Sequence, residues 1–482
     1  MANSIRINFI YNSFLTVSVY LFPIITYPYV SRVLGVANIG ICGFVDSIID
    51  FFCVVSLMGI GNMSIREIAK NKNNRNSLND VFSQLLSLNT ISTLIVSFAL
   101  VIAIYTVPKL QEHKELMYIG LIKLLFNYLT IEWFYKGLEN FKYITIRTFV
   151  VKLLYVVLIF LFVKQKEDYV VYYLISVIAI VLNAIINIIY SRRFVTFHFV
   201  KIISPLYLKP FFSYGIVSLL NTLYTTFNVA FLGFVSNETQ VGYYTTSYKI
   251  VSLILALFMA LTTVLLPRMS SLLKAAKLEE FKSKLQMSQM VMISFVIPCV
   301  FFIESMSNEI VRLFLGSEYQ GSVSPLRIMI PVCFIGSYEQ ILIVQALIPL
   351  NKDKAVLINT IVGAVCGICF NIIFVPLFNS CGSSLVLLIS ELSVLISAIY
   401  FLHKYIAFKM PYKTIFKEIV FTSPIIIICI CTRMLMANDT YIIRLLISGI
   451  LTIMYIYIWE IYIMKNYFYI DILNKIRKVT KL

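Results

Sequence analysis

The chain has 482 residues, 60% of them hydrophobic and 13% charged, with a mean hydropathy of +0.89 and a formal net charge of +17. That balance is far more apolar than a soluble domain's. No stretch is long and polar enough to fold separately in water, which excludes a soluble catalytic domain and leaves one membrane domain with short loops.

A bilayer core of about 30 Å takes roughly 20 helical residues to cross, and each crossing segment must satisfy its own backbone. About fourteen such stretches follow in chain order. Their cores are residues 9–30, 39–61, 83–106, 116–135, 148–164, 169–190, 211–234, 243–266, 287–305, 326–349, 355–376, 382–402, 417–436 and 443–464. The first runs past Pro23 and Pro28 with no suitable small-residue cleavage site, so it is read as span 1 and not as a signal peptide. The gaps are alternately rich and poor in Lys and Arg. With both termini in the cytoplasm, the bases collect on the cytoplasmic side, as the positive-inside rule requires. The heaviest clusters are Arg66/Lys70/Lys72/Arg75, Arg192/Arg193/Lys201/Lys209, Arg268/Lys274/Lys277/Lys282/Lys284 and Lys475/Arg477/Lys478/Lys481. They are topology determinants beside anionic headgroups, and nucleic acid is not implied. The loop from Pro267 to Gln286 reads as a basic amphipathic helix on the membrane face.

The nine cysteines lie in or beside apolar spans, apart from Cys381 near an outer loop. Cys366-Gly-Ile-Cys369 has the spacing of a redox dithiol but no βαβ context, which leaves packing as the reading.

Spans 1 and 2 are joined through Leu34-Gly35 and Ile39-Gly40, and spans 7 and 8 through Leu232-Gly233 and Val241-Gly242. The echo returns after six spans, and an even number preserves orientation, so it predicts parallel repeats about an axis along the membrane normal. The fold class expected is therefore all-α: two pseudo-symmetric six-helix lobes, 1–200 and 201–405, with two added helices and a cytoplasmic tail in 406–482. Pro23, Pro28, Pro298 and Pro331 fall inside spans, where each removes a hydrogen bond and favours a kink.

An ionised side chain near a span centre costs roughly 2.5–3.5 kcal/mol on insertion scales, so each needs a partner, a cavity or water. Asp46 and Asp50 share a face of span 2. Lys123 and Glu132 lie in span 4, Lys152 in span 5, Lys249 in span 8, Arg327 and Glu339 in span 10, and Glu391 in span 12. One reading gives Arg32, Lys123, Lys249 and Arg327 to an anionic substrate, and Asp46, Asp50, Glu132, Glu339 and Glu391 to coupling or gating. The other lets Arg32, Lys152, Arg327 and Lys249 snorkel to the headgroups. His113, His198 and His403 fall in loops or at span ends, and no P-loop or large outer loop is present, so no catalytic residue, metal or cofactor is expected. H+ and Na+ remain the candidate coupling ions.

Several motifs together resemble the polysaccharide transporter family, the Wzx-type O-antigen and capsule repeat-unit flippases of the MOP superfamily with its MATE and MurJ branches. They are Pro28-Tyr-Val-Ser-Arg32-Val-Leu-Gly35, Arg66-Glu67-Ile-Ala-Lys70, Glu132-Trp-Phe-Tyr-Lys-Gly-Leu-Glu-Asn-Phe-Lys-Tyr143, Val241-Gly-Tyr-Tyr-Thr-Thr-Ser-Tyr-Lys249 and Leu266-Pro-Arg-Met269. The resemblance spans nearly the whole chain. It implies a fourteen-helix, two-lobed transporter, not an enzyme, that moves undecaprenyl-pyrophosphate-linked oligosaccharide repeat units across the bacterial inner membrane by alternating access with a basic central cavity. It also implies membrane lipids, a polysaccharide polymerase and a chain-length regulator as partners. One position departs from the pattern: relatives often carry an acid in span 7 where this chain has Asn228. The rival readings are a lipid II flippase, a cation-coupled multidrug exporter and, from another class, a membrane polysaccharide polymerase.

Overall fold

Residues 2–200, 203–437 and 439–464 are described by a computed structural model, side chains excepted at 2–21, 62, 224, 260, 261, 263 and 264; the basic cluster at 475–481 and Lys201 lie outside the described residues. The described residues form helices and no strand. In chain order these are α1 (Ala2–Leu57), α2 (Ile60–Asn71), α3 (Arg75–Thr106), α4 (Pro108–Glu112), α5 (Lys114–Asn127), α6 (Glu132–Gly137), α7 (Phe141–Phe162), α8 (Tyr169–Ser191) and α9 (Pro205–Tyr224). There follow α10 (Thr226–Val235), α11 (Glu238–Lys274), α12 (Leu278–Ser305), α13 (Ser307–Phe314), α14 (Val323–Leu342), α15 (Asp353–Ile406), α16 (Tyr412–Thr422), α17 (Pro424–Leu435) and α18 (Tyr441–Tyr462). Large apolar side chains stay exposed along them, such as Phe98, Ile372, Ile396 and Ile453. Such surfaces are stable only against hydrocarbon, so the chain is a multi-span membrane protein.

Among the described residues, eleven helices are long and apolar enough to cross a membrane, or twelve if α9 and α10, bent by 49°, make one crossing. The count stops short of the expected fourteen because α1 and α15 run through positions read as loops. α1 breaks at Gly35 (φ 77, ψ 169), a conformation open to glycine alone. α15 breaks at Asn379 (φ 49, ψ −123). There the chain folds back: a Cβ on Gly382 would lie 2.2 Å from the Phe374 carbonyl oxygen, whereas residues eight apart in a straight helix are about 12 Å apart.

One local expectation is corrected. The segment Pro267–Gln286 is no separate surface helix; it forms the last turns of α11 and the first of α12, joined through Ala276 at φ 55. Its apolar residues Met269, Leu272, Phe281 and Leu285 are buried within the protein, which removes the face a surface helix would give to lipid. Span 4 stands as one crossing, Lys114–Gly137, interrupted locally where α5 stops at Asn127 and Ile131 takes a left-handed conformation (φ 33) before α6.

By internal packing the chain divides into two compact units, Met1–Thr245 with Gly363–Val386, and Thr246–Val362 with Leu387–Leu482. The first centres on aromatic packing around Phe82, Trp133, Phe134 and Tyr135. The second has a cluster of Met306, Ile310, Ile425 and Cys429 that joins α13 to α17. Within the first unit the two glycine motifs of the internal echo touch. A Cβ on Gly40 would fall 1.8 Å from the Glu238 carbonyl oxygen and 2.9 Å from the Gly242 nitrogen, and one on Gly242 would fall 2.2 Å from the Val36 carbonyl oxygen. Backbone meets backbone there, and no side chain fits.

Gly40→Ala should therefore destabilise the detergent-solubilised protein by about 1–3 kcal/mol through overpacking. Gly61→Ala, where a Cβ meets open space, is the control. Thermal unfolding followed by tryptophan fluorescence distinguishes them, and equal midpoints would refute the close approach.

Candidate functional site

Asp46 and Asp50 stand four apart on the second half of α1, one helical turn, so their carboxylates point the same way. Lys123 of α5 reaches between them, its Nζ 2.6 Å from Asp46 Oδ1 and 2.7 Å from Asp50 Oδ1. The Tyr173 hydroxyl of α8 also donates to Asp46 Oδ1 at 3.3 Å. The lysine is largely buried and both acids are nearly half exposed. Two carboxylates face one ammonium, so Lys123 is not a lone cation waiting for an anion.

The other expected bases have different surroundings. Arg327, exposed at the start of α14, donates through Nε to Ser307 Oγ at 2.8 Å and lies 3.6 Å from Glu304. Arg32 is exposed just before the Gly35 break, and Lys249 is half-buried in α11. Arg32 and Lys123 belong to the first unit, Lys249 and Arg327 to the second.

Glu132 is bound to Lys136 at 3.2 Å and to Arg147 at 3.2 Å, and Arg147 also donates to Asn183 Oδ1 at 3.0 Å. Arg147 is buried. It escaped notice in the sequence because it sits one residue before the apolar core of span 5. In the second unit Glu339 of α14 and Glu391 of α15 face one another across a buried contact. Two such carboxylates repel unless a proton or cation is shared. A π-helical turn, Ile343–Leu347, follows α14 directly.

Two more pairs join residues far apart in the chain. Arg433 holds Glu309 through Nε at 2.8 Å and its terminal nitrogen at 2.9 Å, and Glu418 meets Glu460 between α16 and α18. The available signal was that Glu418, Arg433 and Glu460 interrupt apolar runs. Asn228, the position where the sequence departs from the expected pattern, is fully buried, and its Nδ2 donates to the Tyr244 hydroxyl and the Ser383 carbonyl, both at 2.9 Å. An ionised carboxylate could make neither donation.

At the loop ends near Gly35, Lys109 of α4 holds Glu238 at 2.8 Å and Glu112 at 3.1 Å, and His113 Nε2 lies 3.6 Å from Glu238. The Phe44 ring packs edge-on to the imidazole. Glu112, His113 and Glu238 are close enough together to hold a metal ion, but the Lys109 ammonium already occupies the carboxylates. This clasp fastens α4 and α5 to the start of α11, beside the Gly40–Gly242 contact.

The apolar crossing helices form the fold of a membrane transporter class, and solved structures share that fold. The lipid II flippase MurJ in an inward closed conformation matches with a TM-score of 0.73 and 15% identity, over 94% of this chain and 98% of that chain. An inward-facing multidrug resistance MATE family transporter of the MOP superfamily matches at 0.64 and 15%, over 82% and 98%. The family model described as polysaccharide biosynthesis protein matches residues 5–273, and the MatE model matches 214–373. The chain belongs to the polysaccharide biosynthesis protein family, within the MOP superfamily. It is 24% identical over 396 residues to a protein of Escherichia coli (strain K12) that bears the name of an O-antigen transporter, covering 80% of this chain and 94% of that relative.

Two predictions follow from the paired charges. Lys123→Met leaves two acids facing each other and should cost about 1.5–3 kcal/mol, the worth of a hydrogen bond to a charged group; the triple change to Asn, Met and Asn at 46, 123 and 50 should recover most of that unfolding midpoint. Burial, foremost, holds the His113 imidazole below its ordinary 6.5; nearby Lys109 acts the same way, and Glu238 and Glu112 oppose. An opened clasp would bind that proton more readily, so acidification through about pH 6.5 favours opening and alkaline pH favours closure. Hydrogen exchange at residues 238–245 should speed up between pH 7.5 and 5.5 beyond the intrinsic change, and His113→Gln should abolish the excess.

Proposed function

We propose that this protein is a polysaccharide flippase that carries undecaprenyl-pyrophosphate-linked oligosaccharide repeat units across a bacterial inner membrane. The observation that carries the reading is membership of the polysaccharide biosynthesis protein family over residues 5–273. The name of the Escherichia coli relative and the shared fold of a lipid II flippase support it. The physical task is clear. A diphosphate and a sugar head cannot cross hydrocarbon unaided, while a polyprenyl tail can stay in lipid.

In this reading Arg32, Lys249 and Arg327 bind the diphosphate in turn as the protein alternates its access. Lys123 serves differently from the sequence-based expectation: two carboxylates at 2.6 and 2.7 Å make it the internal counter-ion of Asp46 and Asp50. That triad and the Glu339–Glu391 pair are the places where H+ or Na+ would couple to movement, since each changes its internal repulsion when a cation enters or leaves. Asn228 takes no part in coupling and acts as a fixed hydrogen-bond donor.

Deletion of the gene should make lipid-linked repeat units accumulate facing the cytoplasm. A charge bound to a hydrogen-bonded partner is worth about 1.5–3 kcal/mol, so complementation with Arg32→Gln, Lys249→Gln and Arg327→Gln combined should lower flipping at least roughly tenfold. Normal accumulation of surface polysaccharide in that variant, with protein present in the membrane, would overturn the diphosphate assignment. Unchanged lipid-linked intermediates in the deletion strain would overturn the flippase reading itself.

A further inference from the structure

We propose that the second unit holds a binding site for an anionic glycerophospholipid, separate from the path of the transported substrate. Between α11, α12 and α14 lies a cavity of about 350 Å³. Phe258, Leu265 and Arg268 follow one another along α11, a run of about 15 Å at 1.5 Å per residue. Lys284 begins the matching run on α12, which continues through Met287 and Val291. Arg268 and Lys284 each stand about two helical turns from Ala276 at the turn of the hairpin. The cavity is thus a slot with two cations at the hairpin end and apolar walls beyond them. That is the distribution of charge in a lipid, reversed in sign.

Three further observations favour an occupant of this chemistry. Gln345, in the π-helical turn, and Ser337 line the slot, are each 1% exposed, and have Oε1 and Oγ without a hydrogen-bond partner. Buried groups of this kind are rare without a ligand or water to satisfy them, and π turns often mark functional sites. Lys284 has no ion-pair partner among the described residues, and Arg268 spends one terminal nitrogen on Glu280 at 2.8 Å, keeping further donors. The hairpin around them, with Lys274, Lys277 and Lys282 against Glu279 and Glu280, keeps a positive excess. The positive-inside rule puts such a hairpin at the leaflet richest in anionic lipid.

The occupant that fits this lining places its phosphate between Arg268 and Lys284, headgroup hydroxyls on Gln345 Oε1 and Ser337 Oγ, and part of one acyl chain along Phe258, Leu265 and Val291. Phosphatidylglycerol has this combination. The transported lipid's tail could stay in the bilayer as an acyl chain does, but its head, a diphosphate bearing an oligosaccharide, is too bulky for a slot of about 350 Å³, at the small end of the roughly 300–1,000 Å³ that holds drug-sized ligands.

Native mass spectrometry of the full-length protein, released from vesicles of equal phosphatidylglycerol and phosphatidylcholine, tests the assignment. Two basic side chains near the membrane surface should give retained phosphatidylglycerol a preference of roughly tenfold or more. Arg268→Gln with Lys284→Gln should abolish it. Ser288→Trp, which fills the slot and keeps both cations, should remove the retained lipid as well, with thermal unfolding confirming that each variant is folded. Equal retention of the two lipids by the wild type, or an undiminished preference in the folded double variant, would sink the proposal. So would displacement of the phosphatidylglycerol by sub-stoichiometric undecaprenyl diphosphate, which would assign the slot to the substrate.

Discussion

A charge inside hydrocarbon must meet an opposite charge, a hydrogen-bond partner or water, and the interior of this protein is organised by that requirement. Lys123 draws α1 and α5 together through two aspartates, Arg147 ties α7 to Glu132 and to α8, and Arg433 ties α17 to Glu309 of α13. The apolar contacts around these pairs discriminate weakly, because lipid tails are as apolar as leucine. Breaking a buried pair by removing one member is costly. The charged contacts therefore decide which helices are neighbours, and lipid-facing leucines and isoleucines fill what remains.

The same requirement separates charges that are matched one to one from clusters that keep a formal excess. Glu309 is buried in a pair with Arg433 that balances, and buried Arg147 meets a carboxylate that it shares with Lys136. The Asp46–Lys123–Asp50 triad does not balance, and neither does Glu339 against Glu391. Imbalance is what allows a bound proton or cation to change the energy of an arrangement. Near the opposite end of these helices from the basic hairpins, the Gly40–Gly242 contact and the Lys109–Glu238 clasp hold α1, α4 and α11 by close backbone approach and by ion pairs, forces that respond to shape and to pH.

Much of this was legible beforehand. Hydropathy located the apolar segments, and the prolines at 23, 28, 298 and 331 do lie inside helices. The Gly40 and Gly242 motifs, read as an echo, prove to be in contact. The segment 267–286 misled because a helix with one apolar face looks the same whether it lies on lipid or packs against a second helix in a hairpin. The break at Ile131 was not legible, since nothing in a β-branched residue announces a left-handed turn. Arg147 and Glu309 were missed because each lies at the margin of an apolar run, where a charge looks solvated.

By itself the sequence determined that this is a many-helix membrane protein, because hydropathy and the spacing of basic gaps are local properties that survive without any knowledge of neighbours. Its motifs likewise carried the family. Only the tertiary structure decided which charges are spent on one another. Asp46 and Lys123 are 77 residues apart, and Glu309 and Arg433 are 124 apart. No pattern within a single helix records such partners, since helix order in a bundle fixes them, so the same lysine reads as a substrate-binding cation in one dimension and as a neutralised counter-ion in three.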